Sequence, residues 1–113
     1  MILFHTILTN KDPYWTALQD IYRTSFPIEE QRPVESMERL LAEDAPYRIS
    51  ALLDENGALL GLLTSWEFET FVYIEHFAIT PTLRSSGYGA MALKTFMQSL
   101  SLPLLLEVEP ATD

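Results

Sequence analysis

The chain has 113 residues, 48% hydrophobic and 20% charged, enough apolar material for the core of one small domain. Seven basic residues against sixteen acidic ones leave a formal charge of −9, a surface that repels nucleic-acid backbones and anionic lipids, so no nucleic-acid or membrane partner is expected. Cysteine is absent, which excludes disulfides, thiol nucleophiles and cysteine metal sites and fits a reducing, cytoplasmic setting.

The first residues, "MILFHTILTNK", lack the basic start and small-residue cleavage site of a signal peptide, and the longest apolar runs fall well short of a membrane span. Ile2–Leu8 reads as a strand ending at Thr9-Asn10. Asp12-Pro13 predicts a helix start with Asp12 as N-cap, and Trp15, Leu18, Ile21, Tyr22 and Phe26 follow at helical spacing up to Pro27. "PIEEQRP" is a loop, and Pro33 opens a second helix with Val34, Met37 and Leu41 as its apolar stripe. After Ala45-Pro46, the residues Tyr47, Ile49, Ala51 and Leu53 alternate with polar ones, which is strand periodicity. Asp54-Glu55-Asn56-Gly57 is a hairpin signal, because Asn-Gly tolerates positive φ.

Ala58–Phe68 and Phe71–Ile79 read as two further strands around a turn at Glu67–Thr70, giving an antiparallel meander. Alternation along the second of them puts Glu75 on one face with Tyr73 and Phe77, and His76 on the other with Ile74 and Ala78. Tyr88, Met91, Ala92, Phe96 and Leu100 share one face of a third helix. Pro103 separates it from a last strand over Leu104–Val108, which the strand–helix–strand order makes parallel to the strand before the helix. An apolar strand at the end of the chain is a pairing hazard. It calls for a homodimer through that strand or for further chain beyond Asp113, and incompleteness at the C-terminus is the favoured expectation.

The stretch "TLRSSGYGAM" joins the third meander strand to the third helix, with two of the four glycines, Gly87 and Gly89. Turn glycines alone account for such a stretch readily. Amides at a helix N-terminus, glycines that let a ligand approach and the guanidinium of Arg84 also make an anion cradle. A Walker loop is excluded, since no Gly-Lys-Ser/Thr is present. "GYGAMA" fits the dinucleotide fingerprint, and Glu107 lies about the expected ~20 residues on. That fingerprint follows its strand almost directly, whereas Thr80–Ser86 intervene here and the preceding strands are an antiparallel meander.

Arg84-Ser85-Ser86-Gly87-Tyr88-Gly89 resembles the R/Q-x-x-G-x-G/A signature of the GNAT superfamily of acyl-CoA-dependent N-acyltransferases. The element order of the whole chain is similar to that of the family, and "SFPIEEQRP" resembles a loop between the first two helices of many bacterial members. The resemblance implies an α/β (α+β) fold with a mixed, mostly antiparallel sheet and helices on both faces, here as one domain over 1–113. It implies acetyl-CoA as co-substrate, no metal and a small-molecule or peptide amine as acceptor. The backbone of Ser85, Ser86, Gly87, Tyr88, Gly89 and Ala90, with Arg84, would hold the pyrophosphate. Phe77, Ala78 and Ile79 would pair with the pantetheine arm, in a wedge between this strand and Leu104–Val108.

Glu75 stands where many members carry a catalytic carboxylate, and an apolar surround would suit it as a base. Glu29, Glu30 and Arg32 would line the acceptor entrance, with Trp66 and Phe68 as a wall; a solvated loop and ordinary core aromatics explain the same residues. The two histidines have no ligand spacing, so no metal site is expected. The family continues past the last strand with a helix, a hairpin and often a tyrosine acid, to which nothing here corresponds. The alternative function is a non-catalytic CoA-binding module or an inactive fragment that self-associates.

Overall fold

The structure is a computed structural model and describes residues 1–106. Its strands are β1 (Leu3–Ile7), β2 (Tyr47–Leu53), β3 (Leu59–Glu67), β4 (Val72–Ile79) and β5 (Leu104–Leu106). Its helices are α1 (Trp15–Ser25), α2 (Val34–Ala42) and α3 (Tyr88–Ser99), with 3-10 turns at Ile28–Glu30 and Pro81–Leu83. The strands form one sheet in the order β1-β2-β3-β4-β5, antiparallel except for the parallel pair β4–β5. This is the mixed, mostly antiparallel sheet expected from the sequence. Leu104–Leu106 pair with Val72–Ile74. The remainder of the expected strand, Glu107 and Val108, lies outside the described residues, as does the acidic partner of a dinucleotide loop.

Each face of the sheet has its own core, because the strands alternate between two apolar sets. On one face α1 and α2 bury Leu18, Tyr22 and Met37 over Ile7, Ile49, Leu62 and Ala78. On the other α3 buries Ala92 and Phe96 over Leu52, Leu63, Val72 and Ile79. Met91, expected on the apolar face of α3, is 46% exposed, and Leu93 packs against the core instead. The start of α1 also differs from expectation. Asp12 accepts the Tyr14 N–H on Oδ1 at 2.9 Å and the Trp15 N–H on its carbonyl at 3.0 Å, closing a turn that leads into the helix at Trp15. No helix among the described residues is long and apolar enough to cross a membrane.

The pairing of β3 with β4 slips once: Thr64 faces His76 and Ser65 faces Ile74, which leaves Glu75 as the extra residue of a β-bulge. The slip corrects the simple alternation. Glu75 and His76 both turn toward the α1–α2 side, where they meet Arg32 and Trp66, and Tyr22 and Phe26, respectively. Phe77 goes to the opposite core with α3. The only consecutive polar pair in β4 is thus delivered to one side of the sheet.

Gly61 shows how closely β3 and β4 approach downstream of the bulge. A Cβ built there would lie 2.2 Å from the Ala78 carbonyl oxygen and 3.0 Å from Ile79 Cα. These are backbone atoms of a paired strand and cannot swing aside, so any side chain forces the strands apart. Gly61→Ala is therefore expected to cost about 3 kcal/mol of unfolding free energy. Urea denaturation checks this, and a midpoint within error of the wild type would contradict it.

Candidate active site

At the C-terminal end of β4 the chain leaves a cleft of about 340 Å³, lined by Phe77, Ala78 and Ile79 on one side, Ser25 and Phe26 of the α1 end on another, and Leu83, Arg84, Ser85 and Gly89 on the third. The loop that closes it uses two left-handed residues, Ser85 (φ 71°) and Gly87 (φ 88°). Gly87 is the N-cap of α3 and has no side chain to cap with, and the first turn of the helix contains no acid. Met91 N–H makes the first helical bond, to the Gly87 carbonyl at 3.1 Å. The amides of Tyr88, Gly89 and Ala90 come before it and lack a ladder partner, so the positive end of the helix faces the loop uncompensated. A Cβ on Gly89 would reach Ile79 Cγ1 at 3.8 Å, which places that position against the floor of the cleft.

Arg84, expected to supply a cation to the cradle, lines the cleft and is anchored on both sides. Its Nε donates to the Ile79 carbonyl at 3.0 Å and one terminal nitrogen donates to Ser25 Oγ at 2.8 Å, so the guanidinium ties the end of β4 to the end of α1. Ser86 closes the loop from within: its N–H donates to the Leu83 carbonyl at 3.3 Å and its hydroxyl bonds the same oxygen. Phe77, Ala78, Ile79, Arg84, Ser85 and Gly89 line the cleft, while Ser86, Gly87, Tyr88 and Ala90 build the loop and helix start behind it.

The second cluster lies across Phe26, whose ring lines the cleft and also meets the His76 ring edge-on at 4.8 Å. Here Glu75 is not in an apolar surround. Arg32 donates to Oε1 from Nε at 3.1 Å and from a terminal nitrogen at 2.8 Å, and the same nitrogen reaches Oε2 at 3.0 Å. The Trp66 indole N–H also donates to Oε2. The guanidinium carbon sits 5.5 Å from the Trp66 ring centroid and 5.7 Å from that of Tyr47, within cation–π range. Three residues named from sequence, Arg32, Trp66 and Glu75, thus form one unit, and Phe68 stacks on Trp66 at 6.2 Å.

The loop carrying Arg32 is fastened to the rest of the protein by its backbone. Its N–H donates to the buried Tyr22 hydroxyl at 2.8 Å, and its carbonyl accepts from Arg23 at 2.8 Å. Gln31 donates to the carbonyls of Arg23 and Phe26 at 3.1 and 2.7 Å, ending α1 with a side chain. His76 Nε2–H donates to the Glu30 carbonyl at 2.9 Å, which leaves Nδ1 to accept from Thr64 Oγ1 at 3.3 Å. Glu29 and Glu30 are exposed on this turn, and it is the backbone of Glu30 that is engaged in the cluster.

Comparison with known proteins now decides what this architecture is. The family model described as Acetyltransferase (GNAT) family matches residues 15–110. The chain belongs to the GNAT acetyltransferase family. A GNAT-family acetyltransferase structure from Bacteroides thetaiotaomicron is 30% identical, with a TM-score of 0.88 over 98% of this chain, which spans 62% of that chain's length. An aminoglycoside acetyltransferase from an uncultured soil metagenomic sample shares the fold at 21% identity and TM-score 0.62, covering 98% of this chain and 82% of its own. So does the AAC(6')-Iy structure with the bisubstrate analogue CoA-S-monomethyl-acetylneamine, at 12% identity and TM-score 0.58, covering 97% and 81%. No curated protein matches the chain.

Within this GNAT chain, sequence reasoning passed over Tyr22, Gln31 and Tyr47. Tyr22 and Tyr47 read as apolar-face residues, and nothing in their spacing marks their hydroxyls. The signal that pointed to the cluster was the polar pair Glu75-His76 inside an apolar strand. Burial pushes the Tyr22 phenol up from its ordinary value, against the pull of the Arg32 amide. Burial, and next the charge of Glu75, push Tyr47 up as well. A raised folded-state value means that the unfolded chain loses these protons first. The stability from burying neutral phenols is therefore fully present below about pH 10 and is lost as pH rises above it. Alkaline unfolding followed by circular dichroism should steepen above that pH. The double variant Tyr22→Phe/Tyr47→Phe should flatten the dependence, and an unchanged slope would contradict the assignment.

Proposed function

We propose that the chain transfers an acetyl group from acetyl-CoA to a primary amine by direct attack of the amine on the thioester. The observation that carries this reading is the cleft between the Phe77–Ile79 segment and the uncapped start of α3, separated by the Phe26 ring from His76, the neighbour of Glu75. The soil-metagenome protein is an aminoglycoside acetyltransferase, and the AAC(6')-Iy structure holds a bisubstrate analogue that joins CoA to acetylneamine, which supports CoA as the co-substrate here and an amine as the acceptor.

The residues present suit that ligand. Left-handed Ser85 and Gly87 and the free amides of Tyr88, Gly89 and Ala90 offer donors and a positive dipole end to a pyrophosphate, with no acid in the first turn to oppose it. Arg84 and Ser86 shape this loop. Phe77, Ala78 and Ile79 offer backbone groups to the amide-bearing arm, and their N–H groups would polarise the carbonyl under attack. Acetyl-CoA supplies an activated acyl group with a thiolate leaving group. The amine nitrogen bonds to the acyl carbon, the C–S bond breaks, and the proton leaving nitrogen passes to Glu75, directly or through water. Glu29, Glu30, Arg32 and Trp66 would flank the acceptor.

One observation favours a second reading, CoA binding without turnover: both Glu75 oxygens already accept hydrogen bonds from Arg32 and Trp66. Two variants separate the readings. Gly89→Arg, whose side chain would project into the cleft while its Cβ meets only ordinary contacts, should abolish acetyl-CoA binding in calorimetry and leave the circular dichroism spectrum intact. Undiminished binding would remove the cradle from both readings. Glu75→Gln should keep cofactor affinity and lower turnover on an amine panel about 100-fold or more. Equal turnover at every pH would exclude Glu75 from the reaction, and no turnover in the wild type would favour the binding module.

A further inference from the structure

The side chain of Arg32 stands in an arrangement built for a cation: the Glu75 carboxylate below it, and the rings of Trp66 and Tyr47 at 5.5 and 5.7 Å. Each wall is held independently of Arg32. Trp66 and Tyr47 are directly paired residues of β3 and β2, with their rings 5.1 Å apart, and Trp66 is backed by Phe68. Glu75 is aimed by the bulge and bonded by the Trp66 N–H. The backbone of Arg32 is held independently of its side chain, by the Tyr22 hydroxyl on one side and Arg23 on the other. The guanidinium can therefore leave without any part of the loop unfolding, and its side chain is 30% exposed, which gives it a route to solvent.

A second observation concerns Tyr47. The residue is 5% exposed, its charged neighbours are Glu75 and Arg32, and its hydroxyl has no hydrogen-bond partner among the described residues. Thr64 offers this oxygen only a weak polar contact, since its hydroxyl is shared with His76 Nδ1 at 3.3 Å. Leaving a buried hydroxyl unpaired costs about 1–3 kcal/mol. Nε and one terminal nitrogen of Arg32 are directed at Glu75, and the guanidinium forms no hydrogen bond to this oxygen. A primary ammonium carries three tetrahedrally disposed N–H donors, enough to engage the carboxylate and the phenolic oxygen together.

We infer that Arg32 is a displaceable occupant of the box formed by Glu75, Trp66 and Tyr47, and that the box takes the primary ammonium end of a cationic ligand, which must displace the protein's own guanidinium to enter. This rests on the amine-acceptor reading for its role in turnover, but not for the binding itself. Arg32 then sets selectivity. A tethered cation competes at high effective concentration, so the apparent affinity for a ligand falls by the fraction of molecules in which the box is open. Neutral amines, which gain nothing from the carboxylate and the rings, are excluded. Displacement also releases the Glu75 oxygens that Arg32 now occupies, which ties the availability of the base to the arrival of the acceptor.

The Trp66 indole N–H reports directly on the box, because it donates to Glu75. Nitrogen–proton correlation spectra of the whole chain show one indole signal for each of its two tryptophans, and Trp66→Phe assigns them. Methylammonium chloride is the probe, titrated at constant ionic strength with potassium chloride as the control salt. In Arg32→Ala the Trp66 indole signal should move saturably, at a midpoint about tenfold or more below that of the wild type. Adding Glu75→Gln to Arg32→Ala should abolish the response. A well-dispersed Arg32→Ala spectrum whose indole signal ignores methylammonium would overturn the proposal, as would a response equal to that of potassium.

A turnover arm separates this inference from the proposed reaction. A displaceable Arg32 predicts that Arg32→Ala lowers KM for a cationic amine without lowering kcat. A fixed positioning role predicts a fall in kcat rescued by Arg32→Lys, and that outcome overturns displacement. Saturable methylammonium binding with no acetylation of any amine sinks the reaction and leaves the box.

Discussion

One extra residue in β4 governs the rest of the site. In a regular strand Glu75 and His76 would point to opposite faces, and only one could reach the side where α1 and its loop lie. The bulge sends both there. His76 then holds the Ile28–Glu30 turn through the Glu30 carbonyl, and Glu75 receives the Arg32 side chain two residues later. The same slip returns Phe77 to the α3 core, so that the Phe77–Ile79 segment can serve as the floor of the cleft while the residues before it face the other cluster. The two compartments are divided at the bulge itself.

The loop after α1, with only the short 3-10 turn Ile28–Glu30 of its own, is ordered because its polar groups are bonded one by one: Gln31 to the carbonyls that end α1, Arg23 to the Arg32 carbonyl, the Arg32 N–H to Tyr22. Buried backbone groups need such partners, and a short loop between two helices has few of its own. Partners for the Arg32 backbone come from α1, whose inner face carries the accepting Tyr22 hydroxyl into the core and the donating Arg23 along its edge. The helix is thus both a wall of the core and the frame of the loop that follows it.

The sequence made the fold legible because its periodicities agree with the layers: alternation over Tyr47–Leu53, helical spacing over Trp15–Phe26, and the Asn-Gly turn, where Gly57 does adopt φ 82°. The glycine pair at the start of α3 was legible as a helix entry with a special turn, and the cleft lies against it. Other features were not. A bulge changes the facing of residues without changing their order, so alternation misassigned Phe77 relative to Glu75 and Ile74 relative to His76. Gly61 looks like any strand glycine until the opposing Ala78 carbonyl is placed beside it. The anchoring of the Arg84 guanidinium was not legible from its sequence neighbours, which are serines and glycines. Its partners, Ser25 and Ile79, are brought there by tertiary structure, 59 and five positions away. The pairing of Arg32 with Glu75, 43 positions apart, is of the same kind.

Phe26 belongs to both compartments, as a wall of the cleft and a ring against His76. A side chain shared in this way is a physical connection through which the cleft and the Glu75 cluster can be coupled. Whatever restrains the ring from one side lowers the entropy left to lose on the other. Linkage is reciprocal, so any coupling between a ligand in the cleft and a cation at Glu75 would change both affinities by one common factor. Such coupling would run through a single phenyl group, with no domain closure and no moving lid.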